Sequence, residues 1–335
     1  MLLKPIRAGL LTAVVLVPAL TGWLARELAA PAGRGSEAVF FEVEKGWSAR
    51  RVIDGLRDRG LVRSSFPLRL ACRLFCPEAR FKAGEYLFSP ALKAKDALLR
   101  IIGGRIHLQP VTVPEGLTGH EIAELLRPDD PEGSEAFRRA FLDVGLIFDW
   151  DPRAKDLEGY LFPETYHLPR RASEADIAAA MVAEFREVFD VGRRRRAAEL
   201  GMSVRDVVTL ASLIEEETAL PDERPLISAV FHNRLKIGMK LDCDPTVVYA
   251  LKREGRYGGR LLLRDLKFES PYNTYAHAGL PPGPISNPGK TSIDAALHPA
   301  PENYLYFVAQ GDGGHRFSRT LGEHLDAVRK FRALK

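Results

Sequence analysis

The chain has 335 residues, 46% of them hydrophobic, with a formal net charge of +4 and three cysteines. That length suggests two or so domains of ordinary globular composition. The small, scattered positive charge gives no case for a nucleic-acid partner, and three cysteines cannot frame a disulfide-stapled fold.

Lys4 and Arg7 precede a weakly polar to apolar run from Ala8 to Leu24, closed by Arg26 and Glu27. The run is close to the lower limit of about 17 residues for a membrane-spanning helix. It exceeds the apolar core of about 7–15 residues usual in a cleaved signal peptide. The expectation is one uncleaved anchor over residues 8–25, with residues 1–7 cytoplasmic and the bulk of the chain exported. The Ala29-Ala30 pair beyond it leaves signal cleavage as the alternative. Residues 26–38, ending in PAGRGSEA, read as a linker.

VFFEVEKGWSARRVIDGLRDRGLV then predicts a strand, a turn at Lys45-Gly46, a helix capped by Ser48 and a stop at Gly60. A second helix follows through FPLRLACRLFC. Cys72 and Cys76, four apart on it, would hold their Cβ atoms about 5–6 Å apart, too far for an unstrained bridge. AGEYLFSP predicts a strand and KAKDALLRIIGGRI a helix ended by Gly103-Gly104. Residues 39–107 thus form a small α/β module, and a larger mixed α/β domain covers 108–335, giving an α+β chain. That domain opens with LQPVTVPEGLTGHEIAELLRP, which repeats strand, glycine turn and Thr-capped helix.

LEGYLFPETYHL crowds Glu158 and Glu164 among Tyr160, Phe162 and Tyr166. Ser173 is placed to cap a helix. Arg193 to Arg196 follow beyond it, as a solvated face or a contact for anionic lipid head groups.

In VRDVVTLASLIEEETAL, residues 204–220, helical spacing puts Val207, Val208, Ala211, Ile214 and Thr218 on one apolar side. Glu215 falls on that same side, while Glu216 and Glu217 lie about 100° and 200° further round. A carboxylate within an apolar stripe is costly to ionise and is expected to hold a proton near neutral pH, as a general acid must. The plain alternative is a glutamate at the edge of the stripe that reaches water.

SPYNTYAHAGLPPGPISNPG is a proline- and glycine-rich loop of fixed shape rather than a regular element. Its Tyr272, Asn273 and Tyr275 could offer aromatic faces and an amide to an N-acetylated sugar, or form a structural aromatic cluster. His298, His315 and His324 are spread among turns and a terminal helix, with no metal-ligating spacing, so no metal site is expected. There is no phosphate-cradling glycine signature and no serine or cysteine nucleophile motif.

LASLIEEET, ERPLISAVFHNRLKIGMKLDCDPTVVY, SPYNTYAHAGLPPGPISNPG and HPAPENYLYFV, with LEGYLFPETY and VTVPEGLT upstream, together resemble the YceG-like endolytic murein transglycosylases. The likeness runs from about residue 40 to the C-terminus. It implies cleavage of the MurNAc–GlcNAc bond of nascent peptidoglycan with 1,6-anhydro-MurNAc formation, limiting strand elongation. It also implies a LysM-like module ahead of the catalytic domain, a bacterial inner-membrane location with that domain outside, and peptidoglycan synthases as neighbours. No cofactor is implied.

The family's catalytic glutamate falls on Glu215. Glu158 and Glu217 are candidates for orienting it or the sugar, and Asn233, Tyr272, Asn273 and Tyr275 for binding substrate. Two positions depart from the family pattern: Asp242 stands where Gln is usual, and Leu325 where Asn is usual. Two other readings compete. A hydrolytic muramidase would need a second carboxylate about 5–9.5 Å from the first, for which Glu158 is the candidate. A non-catalytic wall-binding anchor would work through residues 39–107.

Overall fold

A computed structural model describes residues 18–33, 37–311 and 313–332. Most of the expected anchor, residues 8–17, lies outside them. Residues 18–29 (α1) are helical, and among the described residues no helix is long and apolar enough to cross a membrane.

Two compact units make up the chain, one of residues 1–109 with 167–171, the other of 110–166 with 172–335. In the first, β1 (Val39–Val43), α2 (Ala49–Asp58), α3 (Ser65–Phe75), β2 (Gly84–Phe88) and α4 (Ala94–Gly103) follow in order. Strands β1 and β2 pair antiparallel, with Phe41 opposite Tyr86 and Val39 opposite Phe88. Their inner faces close over Val52, Ile53 and Leu56 of α2, Leu68 of α3 and Ile101 of α4. Ser48 caps α2 by accepting the Arg51 N–H, and α4 ends at Gly104. The segment 167–171 is clipped on by Arg170, whose guanidinium meets Glu85 at 2.7 and 3.0 Å.

The second unit is mostly helical. After β3 (Gln109–Thr112) come α5 (Gly119–Leu126) and α6 (Pro131–Phe141), then β4 (Thr165–Leu168), which pairs with β3. Next are α7 (Glu174–Val188), α8 (Val191–Glu199), α9 (Val204–Glu217), α10 (Arg224–Lys236), α11 (Asp244–Arg253) and α12 (Lys290–Leu297). The chain closes with the antiparallel hairpin β5 (Tyr306–Ala309) and β6 (His315–Ser318), then α13 (Leu321–Arg332). The hairpin was not anticipated, and it puts His315 on a strand rather than in a turn.

Helix α9 organises this unit, and it corrects the expected one-sided stripe. Every residue from Val207 to Ile214 is buried, because α8, α10, α11 and α12 surround it. A helix apolar nearly all round belongs in a core. Its Ser212 is satisfied within that core: Oγ donates to the Thr209 carbonyl at 2.7 Å and accepts the Ile285 N–H at 3.0 Å. The arginine run lies on α8 and is spent largely on the protein itself. Arg193 pairs with Asp294, Arg196 donates to the Leu297 carbonyl, and Arg194 stacks over Trp150.

Candidate active site

Helix α9 starts from a reciprocal cap between Ser203 and Asp206 and ends at Thr218. Its last turn carries Glu215, Glu216 and Glu217. Carboxylates at the negative end of a helix are each unfavourable by about 0.3–1 kcal/mol, so this cluster does not serve the stability of its helix. All three line one cleft of about 560 Å³, together with Glu115, Arg224 and Lys252. A smaller recess of about 240 Å³ shares Glu121, Glu216 and Lys252 with it and extends to Asp244 and Tyr249.

The Glu215 side chain is only 6% exposed, and its surroundings are not purely apolar as expected from spacing. Arg224 Nη2 donates to Oε1 at 2.7 Å, and the Gly289 N–H donates to Oε2 at 2.9 Å. Arg224 is itself buried at the start of α10, with Nη1 donating to Thr291 Oγ1. The same Nη2 lies 3.6 Å from Glu115 Oε2. One guanidinium therefore serves two carboxylates. Burial and the charge of Glu215 hold the Glu115 carboxyl above its ordinary range, which Arg224 offsets in part.

Backbone pairing between two distant segments builds this corner. Gly116 N–H donates to the Asn287 carbonyl, and Asn287 N–H donates to the Leu117 carbonyl, each at 3.0 Å. Gly116 turns at φ 83°, and a Cβ there would lie 3.1 Å from Glu216 Oε1. At Gly289 a Cβ would fall 1.8 Å from Glu115 Oε1, so only glycine admits the carboxylate there. The fully buried Asn287 side chain completes the joint, donating to the Leu117 carbonyl and to Glu158 and accepting the Leu161 N–H.

Glu158 is buried in that joint. It accepts from Gly119 N–H at 2.9 Å, Asn287 Nδ2 at 3.1 Å and Tyr249 Oη at 3.2 Å. Burial pushes its carboxyl up to about 8, with Asp156 adding to the effect. No hydrogen bond joins it to Glu215. Glu217 lines the cleft, and burial pushes its carboxyl up to about 7 while the Cys243 thiol donates to it.

The remaining sequence candidates lie further out. Asn233 donates to the carbonyls of Glu302 and Tyr304. Asn273 is fully buried and donates to those of Leu266 and Phe268. Both amides are thus spent on holding chain segments together. Tyr272 packs against Tyr249 with the rings tilted and their centroids 5.0 Å apart, and it borders a separate cavity with Arg253. Tyr275 donates to Asp244 at 2.6 Å, at the edge of the smaller recess. Asp242 pairs with Arg234 at 3.5 Å and does not line the cleft.

Sequence reasoning missed Glu115, Arg224, Asn287 and Gly289. The Pro-Glu-Gly turn at 114–116 hinted at a sharp bend presenting a carboxylate, but nothing in it named its partner.

The sequence model of the YceG-like family matches residues 41–330. The chain belongs to that family. It is 35% identical over 268 residues to a Bacillus subtilis protein named endolytic murein transglycosylase, covering 75% of this chain and 73% of that one. A Streptococcus pneumoniae protein of the same name is 28% identical over 285 residues, and the match spans 51% of its length. Among solved structures, a YceG-like protein of Listeria monocytogenes aligns with a TM-score of 0.59 at 31% identity, covering 87% of this chain and 99% of that one.

Proposed function

We propose that this chain is a membrane-anchored endolytic peptidoglycan lytic transglycosylase, with Glu215 as its acid and base. The observation that carries the reading is the Glu215 carboxyl itself: nearly buried, at the end of a core helix, and facing a cleft of saccharide scale. The named relatives in Bacillus subtilis and Streptococcus pneumoniae supply the reaction class.

Protonated Glu215 donates to the oxygen between MurNAc and GlcNAc as that bond breaks through an oxocarbenium-like state. The resulting carboxylate then takes the proton of the MurNAc 6-hydroxyl, whose oxygen closes on its own anomeric carbon. A 1,6-anhydro ring forms, Glu215 regains its proton, and no water is consumed. The ring closure is intramolecular, so the nucleophile is already in place. Arg224 and Gly289 each use one lone pair of a Glu215 oxygen. Each oxygen keeps a second lone pair, on which the travelling proton can sit. Gly289 holds the carboxyl in one orientation, and Arg224 holds it whenever it is ionised.

The order β1, α2, α3, β2, with both helices against an antiparallel pair, supports a LysM-like, glycan-binding role for the first unit. The apolar run at 8–25 supports retention at the outer face of the cytoplasmic membrane, beside nascent strands and their synthases.

Glu115 favours a second reading. Glu115 and Glu215 both contact one Arg224 nitrogen, at 3.6 and 2.7 Å, so their oxygens are at most about 6 Å apart, which leaves the separation of about 5–5.5 Å used by retaining glycosidases within reach. A hydrolytic muramidase would thus find its second carboxylate in Glu115 rather than Glu158. Mass spectrometry of glycan digested by the full chain separates the two. Anhydro-MurNAc ends, lighter than reducing ends by one water, are expected, and reducing ends alone would overturn the transglycosylase reading.

A further inference from the structure

We infer that Glu115 is a positioning residue that governs how tightly Glu215 holds its proton, by competing with it for Arg224. The inference rests on Glu215 as the proton donor and adds a control that the reaction scheme lacks.

A single carboxyl that is acid in one half of a reaction and base in the other changes charge twice per turnover. A guanidinium fixed on it would favour the ionised form and oppose reprotonation. Arg224 is not fixed in that way. Its Nη1 is anchored on Thr291, while Nη2 sits between two carboxylates, 2.7 Å from Glu215 and 3.6 Å from Glu115. A shift of under about 1 Å turns the long contact into a charge-assisted hydrogen bond of about 2.7–2.9 Å. When Glu215 gains a proton, the arginine moves toward Glu115; when Glu215 ionises, it returns. The buried cation keeps a partner in both states, which matters because an unpaired buried charge is costly.

Other features of the corner fit this use. Glu115 is 46% exposed, and the repulsion from Glu215 that disfavours its charge is relieved when Glu215 takes a proton, just as Arg224 turns to it. Its carboxylate occupies the space that a side chain at position 289 would fill, beside the N–H that serves Glu215. The other charged groups lining the cleft are Glu121, Glu216, Glu217 and Lys252, and Lys252 is already paired with Glu121 at 2.7 Å. Neither Glu216 nor Glu217 has an ion pair to Arg224, which leaves Glu115 as the competitor the geometry supplies.

The test is the pH dependence of kcat and kcat/KM for glycan cleavage by the full chain and by Glu115→Gln. Removing the Glu115 charge leaves Arg224 wholly to Glu215 and favours the form of the site that cannot donate a proton. The alkaline limb should move down by about one pH unit, with kcat on that limb about tenfold lower and KM within a few-fold. Glu115→Asp should recover part of the shift. Gly289→Ala, which displaces the Glu115 carboxylate without removing it, should move the limb in the same direction, and it decides the matter if Glu115→Gln does not fold. A parental profile, or an equal loss at every pH with no movement of the limb, would overturn the inference. The same digests read by mass keep the two questions apart. Reducing ends from the parent would defeat the transglycosylase reading whatever the profile does, while anhydro ends with an unmoved limb would defeat only the role of Glu115.

Discussion

Gly289 donates its backbone N–H to Glu215 Oε2 at 2.9 Å, joining the start of α12 to the last turn of α9, 74 residues earlier. Glu215 occupies the negative end of its own helix, and the N-cap of α12 brings a positive end to meet it. The site is therefore a junction of two helix ends. A third helix contributes the side chain of Arg224 from its first residue.

Arg224→Lys tests that junction. A single ammonium cannot reproduce a planar fork that reaches Thr291 and Glu215 together. Glycan cleavage should fall by about 10- to 100-fold, mostly in kcat, with the thermal unfolding midpoint lowered only modestly. A lysine variant with parental kcat would show that the fork does not orient the acid.

Asn287→Ala should act on stability first. The side chain joins Leu117, Glu158 and Leu161 in a fully buried setting. Leaving those groups unpaired is expected to cost about 3 kcal/mol in urea denaturation. Asn287→Asp should be nearly as damaging, since it sets a second carboxylate against Glu158. A loss below about 1 kcal/mol for the alanine variant would mean the two segments are held together elsewhere.

Much of this was readable along the chain. Ser48, Thr118 and Ser173 all cap helices where their spacing from the apolar periods said they would, because a cap is satisfied within three residues. The helix over 204–217 was readable for the same local reason, but its environment was not. Spacing shows one face at a time, and the burial of the whole stretch from Val207 to Ile214 depends on four other helices. Arg224 and Gly289 reach Glu215 from 9 and 74 residues away, through contacts that have no periodic trace in the sequence. Asn273 was legible as an amide in an aromatic loop, but the two backbone carbonyls to which it donates were not.

Glu158 should reveal itself through pH. Burial disfavours its charge and pushes the folded-state carboxyl up to about 8, from about 4.3 for an unperturbed glutamate in the unfolded chain. Between those values the folded state holds one more proton than the unfolded chain, so stability falls as pH rises, by at most about 1.4 kcal/mol per unit. Glu158→Gln keeps the shape and cannot ionise. Its unfolding midpoint should gain on the parent from pH 5 to pH 8, with cleavage at pH 6 within a few-fold. A constant difference across that range would show that Glu158 carries its charge in the folded protein.

Glu215 bears the central claim, and Glu215→Gln is its most direct measurement. The amide keeps the shape of the carboxyl and removes the titrating proton. With thermal unfolding confirming a folded variant, release of anhydro-MurNAc fragments from purified glycan should drop by at least about 10²-fold, the low end for the loss of a general acid. Glu216→Gln, digested alongside, should stay within a few-fold of the parent. A folded Glu215→Gln variant that keeps more than about a tenth of the parental cleavage would contradict the account, since the proton would then come from another group.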